Sequence, residues 1–344
     1  MHSLKNDYSE GAHPRILEAL VESNFSQEEG YGYDVHTKNA VSKIKELSEN
    51  ENIDVHLISG GTQTNLIAID GFLRSYEACI SPNTGHIAVN ECGAIEYTGH
   101  KVITIDCEEG KLNPDLIESL LEEYDSEHVL IPKLVYISNP TELGTVYNKE
   151  EMKNLYDFCK SKNLLLYVDG ARLGSALCLE NSNLSLSDMV KYTDAFSIGG
   201  TKNGALLGEA LVIKNDDLKP NFRHNIKQKG ALLAKGRLLG IQFEELFKDG
   251  LYFDLASHSN KMGQYLAKGI KKCGCSLLID SPTNQIFPIL PNEVIEELEK
   301  DYLFYRWTKV SPTHSSIRLI TSWATKEEEI DKFLEKLNLL MNEF

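Results

Sequence analysis

The chain has 344 residues, 35 Lys+Arg against 51 Asp+Glu, and a formal net charge of -16; it is 42% hydrophobic, 25% charged and 8% aromatic. Those are the proportions of a folded globular protein, and the length suits one large domain with a smaller one. So acidic a surface opposes binding to phosphate backbones and anionic membranes, and no apolar run reaches the roughly 20 residues that span a bilayer, so neither nucleic acid nor membrane is expected as a partner.

The opening Met1-His2-Ser3-Leu4-Lys5-Asn6-Asp7 lacks the apolar core of a signal peptide. Seven scattered cysteines, an odd number, suit free thiols in a reducing, cytoplasmic setting. Cys273-Gly274-Cys275 is a close pair without the two-residue gap of common zinc half-sites, and no metal is expected there.

From about residue 54, β-rich runs alternate with helix-like stretches. Asp54 to Ser59 reads as a strand ending at Gly60-Gly61, and a helix follows through Leu66-Ile67-Ala68-Ile69. Strands are expected at Lys101–Asp106, Leu134–Ser138, Leu164–Asp169, Ala195–Ile198 and Ala210–Ile213, with a helix around Met152 to Cys159. This alternation predicts an α/β fold with a mainly parallel sheet covered on both faces. Long helices are expected from about 230 to 272. Strand-like runs at Gln285–Leu290, Phe304–Thr308 and Ile317–Thr321, with a helix from about 326, predict a smaller α+β C-terminal domain.

In open parallel sheets ligands sit at the carboxyl ends of the strands, and three loops there carry suitable chemistry. Ser59-Gly60-Gly61-Thr62 joins a strand to a helix, where glycines let the backbone approach an anion and the helix N-terminus offers free N–H groups; a plain tight turn is the alternative. Val168-Asp169-Gly170-Ala171-Arg172 puts a carboxylate at the end of an apolar strand. That is costly to bury without a cation, which a protonated pyridine nitrogen or Arg172 itself would supply. Gly199-Gly200-Thr201-Lys202-Asn203-Gly204 presents a glycine-flanked lysine just past a buried strand, the setting of a desolvated, nucleophilic amine.

On these residues the chain resembles the threonine aldolase and β-eliminating lyase branch of the fold-type I enzymes that use pyridoxal 5′-phosphate (PLP), along nearly its whole length. Leu4-Lys5-Asn6-Asp7 is similar to the family's Leu-Arg-Ser-Asp, and Tyr31-Gly32-Tyr33-Asp34 to its Tyr-Gly-Glu-Asp. Ser59-Gly60-Gly61-Thr62 is similar to its Ser-Gly-Thr, and His86 with Glu91-Cys92-Gly93-Ala94 to its stacking His and Glu-x-Gly-Ala. Asp169-Gly170-Ala171-Arg172 matches Asp-Gly-Ala-Arg in full, and Ile317-Arg318-Leu319-Ile320-Thr321 resembles Ile-Arg-Leu-Val-Thr.

The resemblance implies that Lys202 forms the Schiff base and Asp169 pairs with the pyridinium. It further implies that His86 stacks on the ring, that Gly60, Gly61 and Thr62 hold the phosphate, and that Arg172 contacts the cofactor site. It also implies that Arg172 and Arg318 bind the carboxylate of a small amino acid. It divides the chain into 1–35 completing the site, a PLP-binding domain at 36–248 and a small domain at 249–344. A homodimer, or a homotetramer built from dimers, is implied too, with Lys229, Lys235 and Arg237 either charging a neighbour's phosphate site or solvated at a helix start.

Two positions depart from the family. Asn6 replaces a serine near the substrate carboxylate, where its amide can also hydrogen-bond. Thr141, in Ser138-Asn139-Pro140-Thr141-Glu142, stands where the family carries a histidine beside the substrate hydroxyl. A threonine cannot act as a base near neutral pH, so His86, a water or Glu142 must take that proton. Retro-aldol cleavage of threonine or allo-threonine to glycine and acetaldehyde is the expected reaction, with β-elimination and a non-catalytic PLP-fold protein as alternatives.

Overall fold

The apolar runs up to Ile213 become a seven-stranded sheet in the computed structural model, which describes residues 2–343. Met1 and Phe344, the outer ends of the first and last expected segments, lie outside these. The strands are β1 (Asp54–Ile58), β2 (Glu77–Pro82), β3 (Val102–Ile105), β4 (Ile131–Ser138), β5 (Leu165–Asp169), β6 (Ala195–Gly199) and β7 (Glu209–Ile213). Their order across the sheet is β1-β7-β6-β5-β4-β2-β3. Only β7 runs antiparallel to its neighbours β1 and β6; the β6-to-β3 pairings are all parallel. Every residue of β5, β6 and β7 is buried, as expected of strands covered on both faces.

Strand β2 was not expected from sequence. Glu77, Ser81 and Pro82 lower its strand propensity, yet all six residues are buried between β3 and β4. Pro82 is tolerated because it ends the strand.

Helix α1 (Pro14–Glu22) precedes the sheet, and α2 (Gly61–Phe72) follows β1 directly. The long helical stretch expected from about 230 begins only at Arg237. Residues 231–236 form loops and turns, with α3 (Arg237–Phe247) and α4 (Leu251–Lys272) beyond them. These two helices are separated at Asp249 and Gly250, both at positive φ (56° and 78°), a conformation that ends a helix and favours glycine. Helix α4 spans two cores. Its Leu251, Tyr252 and Leu255 join the large-sheet core, while Met262, Leu266, Ala267 and Ile270 pack into a second one. Each such buried leucine or isoleucine stabilises by roughly 1.5–3 kcal/mol.

The second core lies under a small sheet of β8 (Ser276–Leu277), β9 (Gln285–Ile286), β10 (Pro288–Pro291), β11 (Tyr305–Lys309) and β12 (His314–Ile320), in which β12 pairs antiparallel with β9, β10 and β11. The single strand expected over Gln285–Leu290 is interrupted at Phe287, before Pro288, which has no N–H for the ladder. The N-terminus crosses to this sheet. His2–Ser3 pairs parallel with Tyr302–Leu303, and Leu4 donates to the Leu303 carbonyl (2.9 Å) and accepts from the Ile320 N–H (2.8 Å).

Candidate active site

Asp169 closes β5, and the turn after it is pressed against β6. A Cβ on Gly170 would lie 1.9 Å from the Ser197 carbonyl oxygen, so only glycine fits. The Gly170 N–H donates to Ser197 Oγ at 2.9 Å. The Asp169 carboxylate accepts from Asn65 Nδ2 (2.8 Å), the Tyr136 hydroxyl (2.8 Å) and the Ala171 N–H (2.9 Å). Burial works to raise its pKa, but His86, Asn65, Lys202 and the Ala171 amide outweigh it and hold the carboxyl below its usual value.

Lys202 lies in a loop stitched to the start of β7. Gly200 and Thr201 donate to the Gly208 carbonyl (2.9 and 3.1 Å), and Gly208 N–H donates to Thr201 Oγ1 (3.0 Å). Among the described residues the Lys202 amine makes no hydrogen bond or ion pair, and it lines the cleft. Burial, reinforced by the like charge of Arg172 and opposed by Asp7, Asp169 and Glu209, lowers its pKa. Glu209, buried at the head of β7, is pushed up to about 8 by burial.

Helix α2 begins at Gly61 with Gly60 as an N-cap that supplies no side-chain acceptor. Its first-turn N–H groups are therefore open to an anion, and a Cβ at Gly60 or Gly61 would meet nothing within 4 Å. Gly61 lines the cleft, and Thr62 is exposed beside it.

Arg172 does not pair with Asp169. Its Nε donates to Asp7 Oδ2 at 2.6 Å and its Nη2 to Asp7 Oδ1 at 3.1 Å, while Asn284 Nδ2 donates to the same carboxylate at 3.0 Å. Arg172 still borders the cleft. Arg318, on β12, has its guanidinium 5.1 Å from the Tyr305 ring centre and 5.0 Å from that of Trp307. Its Nε is buried with no hydrogen-bond partner among the described residues, which leaves a donor aimed at an absent acceptor. Asn6 is placed differently: its Oδ1 accepts from Tyr8 N–H and Ser9 Oγ, both at 3.0 Å, within a local turn, and Tyr8 lines the cleft instead.

The wall opposite carries Ser138, Thr141 and Glu142. Thr141 Oγ1 is 2.7 Å from Thr145 Oγ1, and Thr141 is buried. Glu142 Oε1 accepts from Ser138 Oγ (2.7 Å) and from the His86 N–H (2.9 Å). Burial pushes the Glu142 carboxyl above the usual range, against the Ser138 hydrogen bond. His86 Nδ1 meets Glu91 Oε1 at 2.8 Å, and Asn65 Nδ2 donates to the same oxygen. Asn65 thus joins Glu91 to Asp169, and its own Oδ1 accepts from the Tyr167 hydroxyl at 2.9 Å.

One cleft of about 520 Å³ is bordered by Gly61, His86, Thr141, Asp169, Arg172, Lys202 and Arg318. Gly60, Thr62 and Asn6 are not among the residues that border it. Lys229 pairs with Asp70 and Arg237 bonds the Ser26 carbonyl, so within the chain both basic groups have partners. Asp7, Asn65 and Tyr136 are site residues that sequence reasoning missed, because each acts through partners distant in sequence. Glu209, also missed, lies close in sequence to Lys202, but nothing in the residues between them shows that the two are buried together.

A strand-end carboxylate, a cleft-lining amine without a partner among the described residues and an uncapped helix N-terminus around one cleft define a PLP-dependent enzyme of fold type I. The Beta-eliminating lyase family model matches residues 7–292, and the chain belongs to that family. It is 30% identical over 340 residues to the low specificity L-threonine aldolase of Pseudomonas aeruginosa, covering 98% of this chain and 97% of that one. It is 25% identical over 333 residues to the low specificity L-threonine aldolase of Escherichia coli (strain K12), covering 96% of each. A solved structure described as Leishmania major threonine aldolase superposes with a TM-score of 0.97 at 52% identity, covering 99% of this chain and 100% of that one.

The residues present fit PLP. Asp169 keeps a carboxylate for a protonated ring nitrogen, Lys202 offers the amine for the aldehyde, and the free amides of α2 suit the phosphate.

Proposed function

We propose that the chain cleaves a β-hydroxy-α-amino acid, L-threonine or L-allo-threonine, to glycine and acetaldehyde. The observation that carries this reading is Arg318, whose buried Nε lacks an acceptor in the same cleft as Lys202 and Asp169. A substrate carboxylate is the planar anion such a guanidinium fork takes. PLP bound here would supply the electron sink for the bond broken at the substrate's Cα.

The chain's own groups then have separate tasks. With PLP bound, Lys202 would hold it through its amine and Asp169 would keep the ring nitrogen charged. His86, seated by Glu91, would back the ring, and Gly61, at the open helix N-terminus that Gly60 and Thr62 flank, would receive the phosphate. Arg318 fixes the carboxylate. Arg172, held by Asp7, supplies positive charge beside it, and Asn6 shapes the turn that carries Tyr8 to the cleft. The P. aeruginosa and L. major proteins, described as threonine aldolases, support the same reaction.

Aldehyde release, read by a coupled alcohol dehydrogenase, tests the reading. Release from none of the four threonine stereoisomers by the PLP-loaded protein would sink it. The buried, already bonded Thr141 hydroxyl favours β-elimination as a second reading, and pyruvate with ammonia from serine or cysteine would mark it.

The same reading takes the protein as a cytoplasmic homodimer or homotetramer. Leu17 and Val21 on α1 and Phe25 just beyond it stand exposed at four-residue spacing, as a face for a second copy. The division into 1–35, 36–248 and 249–344 is part of this proposal.

A further inference from the structure

We infer that Glu142 is the base that takes the proton of the substrate's β-hydroxyl. The inference rests on the retro-aldol reading and assigns a residue to its least settled step.

Glu142 borders the cleft together with Lys202 and Arg318. Its Oε1 is fixed by Ser138 Oγ and the His86 N–H, while Oε2 makes no hydrogen bond among the described residues. One oxygen therefore orients the carboxyl and the other is free to accept a proton. Of the alternatives on this wall, the Thr141 hydroxyl is buried and shared with Thr145. The His86 ring is anchored at Nδ1 by Glu91.

The titratable groups that act on or sense the Glu142 carboxyl are Asp169, His86, Arg172, Tyr136, Tyr147 and Cys107. Burial raises its pKa toward the working range of a general base, where proton transfer is most effective. In the step, the hydroxyl O–H breaks and its proton passes to Glu142 Oε2. The O–H electron pair forms the aldehyde C=O. The Cα–Cβ bond breaks and its pair is left at Cα, where bound PLP would stabilise it until a proton from solvent completes glycine. The proton on Glu142 returns to solvent as the aldehyde departs.

The PLP-loaded Glu142→Gln variant tests this with two readouts. Aldehyde release from threonine is expected to fall by about 10²-fold or more, the usual share of a general base. Exchange of the glycine α-proton in deuterated water, followed by NMR, needs Lys202, Asp169 and Arg318 but no β-hydroxyl, and is expected to stay within about threefold. Release within a few-fold of the parent overturns the assignment, as does an equal loss of exchange, which would make Glu142 a seat for His86 and no more. A parent protein that exchanges glycine but releases no aldehyde defeats the retro-aldol reading itself, and the Glu142 assignment with it.

Should Glu142→Gln fail to fold, Ser138→Ala removes the hydrogen bond that lowers the Glu142 pKa. The acid limb of the cleavage profile is then expected to move to higher pH; an unmoved limb overturns the assignment. Binding of 3-hydroxybutyrate, which has the carboxylate and hydroxyl but no amine, reads the contact without turnover. Its preference over butyrate, followed by tryptophan emission, is expected to vanish in Glu142→Leu. A preference that survives there counts against Glu142.

Discussion

Asp7 and Arg172, 165 residues apart in sequence, meet as a two-pronged ion pair with Nε–Oδ2 at 2.6 Å and Nη2–Oδ1 at 3.1 Å. Asp7 is buried, with a side chain 1% exposed, and the Arg172 side chain is 15% exposed. The pair ties the N-terminal segment to the turn after Asp169 and so fixes the cleft wall at Arg172.

Asp7→Asn is expected to cost about 3 kcal/mol, since removing one partner strands a buried charge. Burial works to raise the Asp7 pKa, but Arg172 and Lys202 outweigh it and hold it low. An acid with a depressed folded pKa stabilises above its unfolded value and loses that as pH falls through the folded one. Urea unfolding at neutral and acid pH should therefore show the variant's deficit shrinking in acid; an equal deficit at both would disprove the account.

Arg318→Lys keeps charge but loses the planar fork and the face that lies between Tyr305 and Trp307. Glycine affinity, measured at equilibrium on the PLP-loaded protein, is expected to weaken about 10- to 100-fold. Unchanged affinity would mean that the carboxylate binds elsewhere.

Asn65→Leu should remove one donor each from Asp169 and Glu91 and the acceptor of the Tyr167 hydroxyl at once. Unpaired buried groups of this kind cost about 1–3 kcal/mol each, so a loss of about 3 kcal/mol or more is expected, with weaker PLP retention on dialysis. A variant as stable as the parent would show that water replaces the amide.

Glu209 predicts a pH effect. Its folded pKa of about 8 lies above the ordinary 4.5, so the folded chain keeps a proton that the unfolded chain releases. Stability contributed by that group is full below about 4.5 and is lost as pH rises toward about 8. Lys202, whose folded pKa is lowered from 10.5, works the other way: its penalty fades as pH rises toward that value. Glu209→Gln should flatten the fall between about 4.5 and 8, by an amount on the order of a few kcal/mol. Chemical unfolding across that range checks it, and parallel curves for both proteins would refute it.

The sheet was legible where strands are apolar and close on a chemical motif, as at Asp169 and Lys202. It was not legible at Glu77–Pro82, where tertiary burial overrides poor local propensity. Within the site, Asp169-Gly170-Ala171-Arg172 could be read through its resemblance to a family motif, although the partner of Arg172 could not. Asp7 could not, because nothing near it in sequence announces Arg172. Tyr136 looked like core packing on an apolar strand, and only its 2.8 Å contact with Asp169 gives it a second task. Asn65, in the polar first turn of α2, gave no sign of its contacts with Asp169 and Glu91 for the same reason.

The clamp on Leu4 sets an order of events during synthesis. Asp7 leaves the ribosome long before Leu303 and Ile320, the strand positions that fix its neighbour Leu4. Because domains form from the N-terminus onward as the chain emerges, Lys202 and Asp169 can be seated in the large sheet while the acid that locks Arg172 still swings free. A nascent chain that already displays the cofactor lysine is thus not yet an enzyme; the cleft is finished only when β12 arrives.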